Sequence, residues 1–222
     1  MTMEYIQATH KIIGPHQGQR VLASGEPLER AKAAMIMLHG RGASAEDILS
    51  LSTELNQSGF LYVAPQAAGY SWYPNSFLAP LASNEPGNSS GLSVIAALFE
   101  HLTDAGIGPE RTILLGFSQG ACLSLEFATR NARRYGGVAA LSGGLIGPDG
   151  TKWDYPGSFQ GTPIFLGCSE SDMHIPKERV ELSAQILQQQ GGSVTARLYP
   201  HMGHTINEDE LEAVRTMMAS LL

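Results

Sequence analysis

Ser118 lies in Gly116-Phe-Ser118-Gln-Gly120, between an apolar run at 112–115 and a helix-like run at 121–129. Glycines two before and two after the serine permit a turn too tight for side chains and leave its hydroxyl projecting. A serine hydroxyl is a poor nucleophile at neutral pH. It needs a base, and the base needs an orienting group. Two later segments offer both. Gly167-Cys-Ser-Glu-Ser-Asp-Met-His-Ile-Pro176 carries Asp172, with Glu170 as its rival. Tyr199-Pro-His-Met-Gly-His-Thr-Ile206 carries His204, with His201 as its rival and Gly203 allowing a sharp bend. A second G-x-S-x-G match, Gly87-Asn-Ser89-Ser-Gly91, follows Ala82-Ser-Asn-Glu-Pro86. That segment reads as loop rather than strand, so Ser89 is expected to sit quietly before a helix.

Acyl transfer also needs donors for a developing oxyanion. His39-Gly-Arg-Gly42 ends the first core strand as an H-G-x-G turn. The backbone amides of Arg41 and Gln119 are the expected donors. The Arg41 side chain reads as a solvated surface arginine, and His39 as a brace for the loop. Tyr70, Trp72, Tyr73 and Phe77 fall in a long loop, where they either line a substrate pocket or simply pack it. Met173 and His174 flank Asp172 and are further candidates for substrate contact. His201 and His204 lack the acidic or cysteine neighbours of a metal site, so no metal is expected. Glu126 and the acids of the last helix read as surface charge.

These residues need a scaffold, and strand and helix patterns alternate along the chain. Strands are expected at 33–38, 60–64, 112–115, 138–141, 163–167 and 194–199. Helices are expected behind a Ser44/Asp47 capping box, with Ile48, Leu51 and Leu55 on one face, and at 91–104, 121–129 and 176–190. A last helix follows an Asn207/Glu210 capping box. Residues 65–89 and 142–161 are expected to be irregular. The first 30 residues are expected to add one or two antiparallel edge strands. Such alternation predicts an α/β fold: a mostly parallel twisted sheet with helices on both faces and ligands beyond the strands' carboxyl ends.

A chain of 222 residues with 43% hydrophobic content suits one domain, 1–222, with a full core. The net charge of −7, with scattered basic residues, argues against nucleic acid. Residues 1–7 lack the pattern of a signal peptide, and no apolar run approaches transmembrane length. A cytoplasmic protein without membrane insertion is expected, with Cys122 and Cys168 reduced and buried. Neither repeat nor heptad decides between monomer and homodimer.

With these motifs in place, the chain resembles the phospholipase/carboxylesterase family of α/β-hydrolases, the group related to acyl-protein thioesterases. The resemblance runs from about residue 33 to the end. It rests on His39-Gly-Arg-Gly42, Gly116-Phe-Ser-Gln-Gly120, Gly167 with Asp172 and Pro176, and Gly203-His204. It implies an α/β-hydrolase fold with no separate cap domain and no cofactor. It also implies a Ser118–His204–Asp172 triad acting on a small-molecule ester. The expected activity is that of a carboxylesterase for short to medium acyl chains. An acyl thioesterase or lysophospholipase on the same fold is the alternative, and a non-catalytic ligand-binding relative is a rival of another class.

Overall fold

The computed structural model of the protein describes residues 12–222 together with the strand backbone of Glu4–Tyr5. The remainder of the segment read above for a leader lies outside the described residues. Among the described residues, eight strands form one sheet: β1 (Glu4–Tyr5), β2 (Val21–Gly25), β3 (Ala33–Leu38), β4 (Phe60–Pro65), β5 (Thr112–Phe117), β6 (Gly137–Leu141), β7 (Pro163–Ser169) and β8 (Ser193–Tyr199). Their order across the sheet is β1-β2-β4-β3-β5-β6-β7-β8. β2 runs antiparallel to both of its neighbours, and every pair from β4 to β8 is parallel. The expected antiparallel edge and parallel body are both present, as an α/β-hydrolase fold requires.

Strand periodicity divides the core into two layers. On β3, Ala34, Ile36 and Leu38 join one apolar cluster, while Ala33, Met35 and Met37 join the other. Successive side chains point to opposite faces, and both faces are covered, so the run is apolar throughout. The first cluster takes in helices α3 (Gly87–Asp104), α4 (Gln119–Arg130) and α5 (Lys177–Gln189). The second takes in α1 (Ala45–Leu49), α2 (Leu51–Leu55) and α6 (Glu208–Ala219). Among the described residues, no helix is long and apolar enough to cross a membrane. Cys122 and Cys168 are both free and buried.

Three local expectations need correction. The helix behind Ser44 is broken at Ser50, which ends α1 and starts α2. The Ser50 hydroxyl donates to the Asp47 carbonyl at 2.7 Å, the side-chain bond by which serine competes with helix continuity. α3 begins at Gly87 rather than 91, so the second G-x-S-x-G match lies inside a helix. There the Glu85 carboxylate accepts from the Ser89 amide at 3.1 Å, satisfying a first-turn donor. Gly87 also lets this turn press against the backbone of Trp72 and Tyr73, where a Cβ would collide. Finally, Glu126 and Glu210 are fully buried rather than surface acids. Burial raises the carboxyl pKa of Glu126 against the opposing pull of Arg130, whose Nε lies 2.6 Å away. Burial raises that of Glu210 to about 7.

Candidate active site

β5 ends at Phe117 and α4 begins at Gln119, so Ser118 alone makes the turn between them. Its backbone takes φ 54°, ψ −117°, a left-handed conformation that a residue with a Cβ adopts only under strain. The flanking glycines are steric necessities. A Cβ on Gly116 would strike the Gly120 backbone, and one on Gly120 would strike the carbonyl oxygens of Leu38 and His39. The Ser118 amide is held by the Leu141 carbonyl of β6 at 2.9 Å. Strain at one serine is thus sustained by three neighbouring strands.

His204 follows β8 and Asp172 follows β7, so both stand at the carboxyl end of the sheet beside Ser118. His204 Nε2 lies 2.8 Å from Ser118 Oγ, and His204 Nδ1 lies 2.7 Å from Asp172 Oδ2. An ionised carboxylate can only accept. Nδ1 therefore carries the proton, and Nε2 is left as acceptor for the serine hydroxyl. The Asp172 side chain is buried, and burial alone would raise its pKa. Hydrogen bonds from His204 and from the amides of His174 and Ile175 outweigh it and hold the carboxyl below its ordinary value. The imidazole packs between the ring of Phe117, at 5.0 Å, and the edge of His174, at 4.8 Å. The rivals stand apart. His201 and Glu170 are exposed, and the Glu170 amide is spent on the Tyr199 carbonyl.

Opposite the serine, the 39–42 turn packs directly on the elbow, with Gly40 against Phe117 and Ser118. His39 is buried, and burial lowers its pKa, so it acts as a neutral brace. Its Nδ1 donates to the Gly40 carbonyl and its Nε2 accepts from the Ala67 amide. The Arg41 and Gln119 amides have no partner among the described residues. Each is therefore free to donate beside the elbow, Gln119 as the first residue of a helix whose leading amides are unpaired by construction.

The Gln119 and Arg41 side chains do something the sequence did not announce. Gln119 accepts from the Trp72 amide and donates to the Tyr73 carbonyl, both at 2.8 Å. Arg41 is exposed, as read above, and also donates to Ser71 Oγ and to the carbonyls of Tyr73, Pro74 and Asn75 at 2.7–3.0 Å. The two residues clamp the 71–75 loop to the elbow and the 39–42 turn. A cavity of about 390 Å³ opens between that loop and the 172–175 turn. Ser118 and His204 line it, together with Tyr73, Phe77, His174 and Arg41. Trp72 stands behind the cavity, fully buried, its Nε1 donating to the His39 carbonyl at 2.9 Å. Tyr70 is 54% exposed and lies along a separate groove with Gln19 and Arg20. Met173 is 85% exposed and does not line the cavity. The loop's alternation decides which aromatic faces in, and that follows from its hydrogen bonds rather than from its composition.

Cys122 also lines the cavity, a residue the sequence reading left in the core. The signal was present: it lies four residues after Ser118, in the first turn of α4, and its amide donates to the Ser118 carbonyl. Burial pushes its thiol up to about 12, so it offers no competing nucleophile.

Comparison with known proteins bears on the fold and the family. A crystal structure of a phospholipase/carboxylesterase from Dyadobacter fermentans superposes with a TM-score of 0.88 at 41% identity, covering 94% of this chain and 100% of that one. Acyl-protein thioesterase 1 of Emericella nidulans is 28% identical over 211 residues, 83% of this chain and 88% of that protein. Acyl-protein thioesterase 1 of Gibberella zeae is 34% identical over 128 residues, only 56% of this chain and 54% of that protein. Residues 20–222 match the Phospholipase/Carboxylesterase family, and the chain belongs to that family of hydrolases.

Proposed function

We propose that the protein is a serine carboxylesterase acting on esters of short to medium acyl chain. The observation that carries this reading is the unbroken relay Ser118–His204–Asp172 opening on a single cavity. His204 Nε2 takes the hydroxyl proton as Ser118 Oγ attacks the acyl carbon. Asp172 keeps the imidazole in the required tautomer and stabilises its charged form. The Arg41 and Gln119 amides hold the oxyanion, each such donor typically contributing about 10²–10³ in rate. His204 then protonates the departing alkoxide, leaving the acyl group on Ser118. Water, deprotonated by His204, attacks that ester and releases the acid.

Ser118→Ala is expected to lower kcat by about 10⁶-fold while leaving the circular dichroism spectrum unchanged. Hydrolysis of p-nitrophenyl esters from acetate to palmitate measures it, and full residual turnover in the variant would overturn the assignment. The names of the fungal relatives favour a second reading, acyl thioester hydrolysis. A kcat/KM for acyl thioesters well above that for the matching oxygen esters would establish it instead. Labelling of Ser118 by a fluorophosphonate separates either enzyme from a mere binding protein.

A further inference from the structure

Arg41 places a permanent, immobilised cation at the mouth of the cavity. Its four terminal N–H groups are all committed, and every acceptor is neutral: one hydroxyl and three backbone carbonyls. Among the described residues no carboxylate pairs with it, whereas Arg20, Arg30, Arg130, Arg179, Arg197 and Arg215 are paired; Arg111, Arg133 and Arg134 also lack a carboxylate partner, but they do not line the cavity. The guanidinium's fifth donor, Nε–H, has no protein acceptor among the described residues. Carbonyl dipoles hold the side chain in place without cancelling its charge.

The cavity's composition sharpens the point. Among the described residues it is lined by Arg41, two histidines and neutral residues, with neither aspartate nor glutamate, in a chain whose net charge is −7. The nearest acid of the site, Asp172, lies buried behind His204, and three N–H donors already compensate its charge. A cleft of one sign with low-dielectric walls concentrates ligands of the opposite sign.

We infer that the site selects esters carrying a second, ionised carboxylate, and that Arg41 determines this specificity. The inference rests on the esterase reading and names its substrate class. The carboxylate stays outside the reacting centre. It meets the Arg41 Nε–H and the guanidinium charge while the scissile carbonyl lies at Ser118, so bond making and breaking follow the acyl-enzyme sequence above.

Two isosteric pairs test it by pH-stat titration of released acid: monomethyl glutarate against methyl pentanoate, with the charge on the acyl side, and acetoxyacetate against ethyl acetate, with the charge on the alcohol side. At low salt at least one anionic member is expected to exceed its neutral partner in kcat/KM by about tenfold or more. That preference is expected to fade as ionic strength rises from about 0.01 M to about 1 M, where the screening length drops from about 30 Å to about 3 Å. Arg41→Gln should bring the ratio to one or below, whatever it does to the 71–75 loop, and Arg41→Lys should restore part of it. A ratio of one or less for both pairs in the native protein, or a ratio that survives Arg41→Gln, overturns the inference while leaving the esterase reading standing. Absence of turnover on all four esters, with no fluorophosphonate label on Ser118, overturns the esterase reading itself and the inference with it.

Discussion

At the scale of single residues, Ser118 carries the strain of the site. Its φ of 54° puts a Cβ where only glycine rests comfortably. The cost of such a conformation is of order 1–3 kcal/mol and persists because three strands over-determine it. Ser118→Gly is therefore expected to be more stable than Ser118→Ala by about 1 kcal/mol, with both equally inactive. Urea denaturation of the two variants measures this, and an Ala variant as stable as the Gly variant would mean the turn is relaxed. Gly-x-Ser-x-Gly is the residue pattern most open to sequence reading, because each glycine answers a collision within a few residues or with the adjacent strand end. His204 and Asp172 were open to reading as types in the right segments. The choice of His204 over His201 and of Asp172 over Glu170 came from the adjoining Gly203 and Pro176 and from the family resemblance, and the hydrogen bonds that join the chosen groups span 32 and 86 residues.

At the scale of elements, the site depends on two side chains that tie a loop down. Gln119 stands at the first position of α4 and reaches back to the 71–73 backbone, while Arg41 grips 71–75 from the opposite turn. Gln119→Ala leaves the buried Trp72 amide without this acceptor, and an unsatisfied buried group costs about 1–3 kcal/mol. The expected result is faster amide hydrogen exchange across 71–75 and a kcat/KM reduced about tenfold or more, with the exchange of β5 and β6 unaltered. Unchanged protection of the loop would show that Arg41 alone suffices. The same comparison explains why the aromatic run was only half legible. Composition marks Tyr70, Trp72, Tyr73 and Phe77 as large and apolar. Which of them faces the cavity is set by tethers from α4 and the 39–42 turn, which no local pattern records.

At the scale of the whole molecule, buried acids couple stability to pH. Glu210 belongs to the capping box that starts α6, its Oε2 accepting from the Asn207 amide at 2.8 Å, while its Oε1 is buried without a partner. The folded pKa of about 7 exceeds the ordinary value of 4.5. A folded-state pKa raised in this way means that the folded protein holds the proton more tightly than the unfolded chain. The contribution is complete below about pH 4.5, declines as pH rises through about 7, and is absent above it. Glu210→Gln removes the ionisation and keeps the capping acceptor. Its stability relative to the native protein is expected to improve between pH 5 and pH 8, by a few kcal/mol at most at about 1.4 kcal/mol per pKa unit. Thermal unfolding at the two pH values reads the change, and a constant difference between the proteins would overturn the assignment of the proton to Glu210.

The sequence by itself determined whatever short-range sterics and periodicity govern. It specified the alternating strands and helices, the capping boxes at Ser44 and Asn207, and the elbow at Ser118. It also specified the antiparallel edge ahead of a parallel body. Each of these follows from neighbours a few residues away, or from the demand that a strand covered on both faces be apolar throughout. Only the tertiary structure decided where charge and polarity ended up. It buried Glu126 and Glu210, tied the exposed Arg41 side chain to the 71–75 loop, and set Trp72 behind the cavity rather than in it. Burial and pairing are set by partners far apart in sequence, and the free energy of a polar group depends on those partners more than on its own identity.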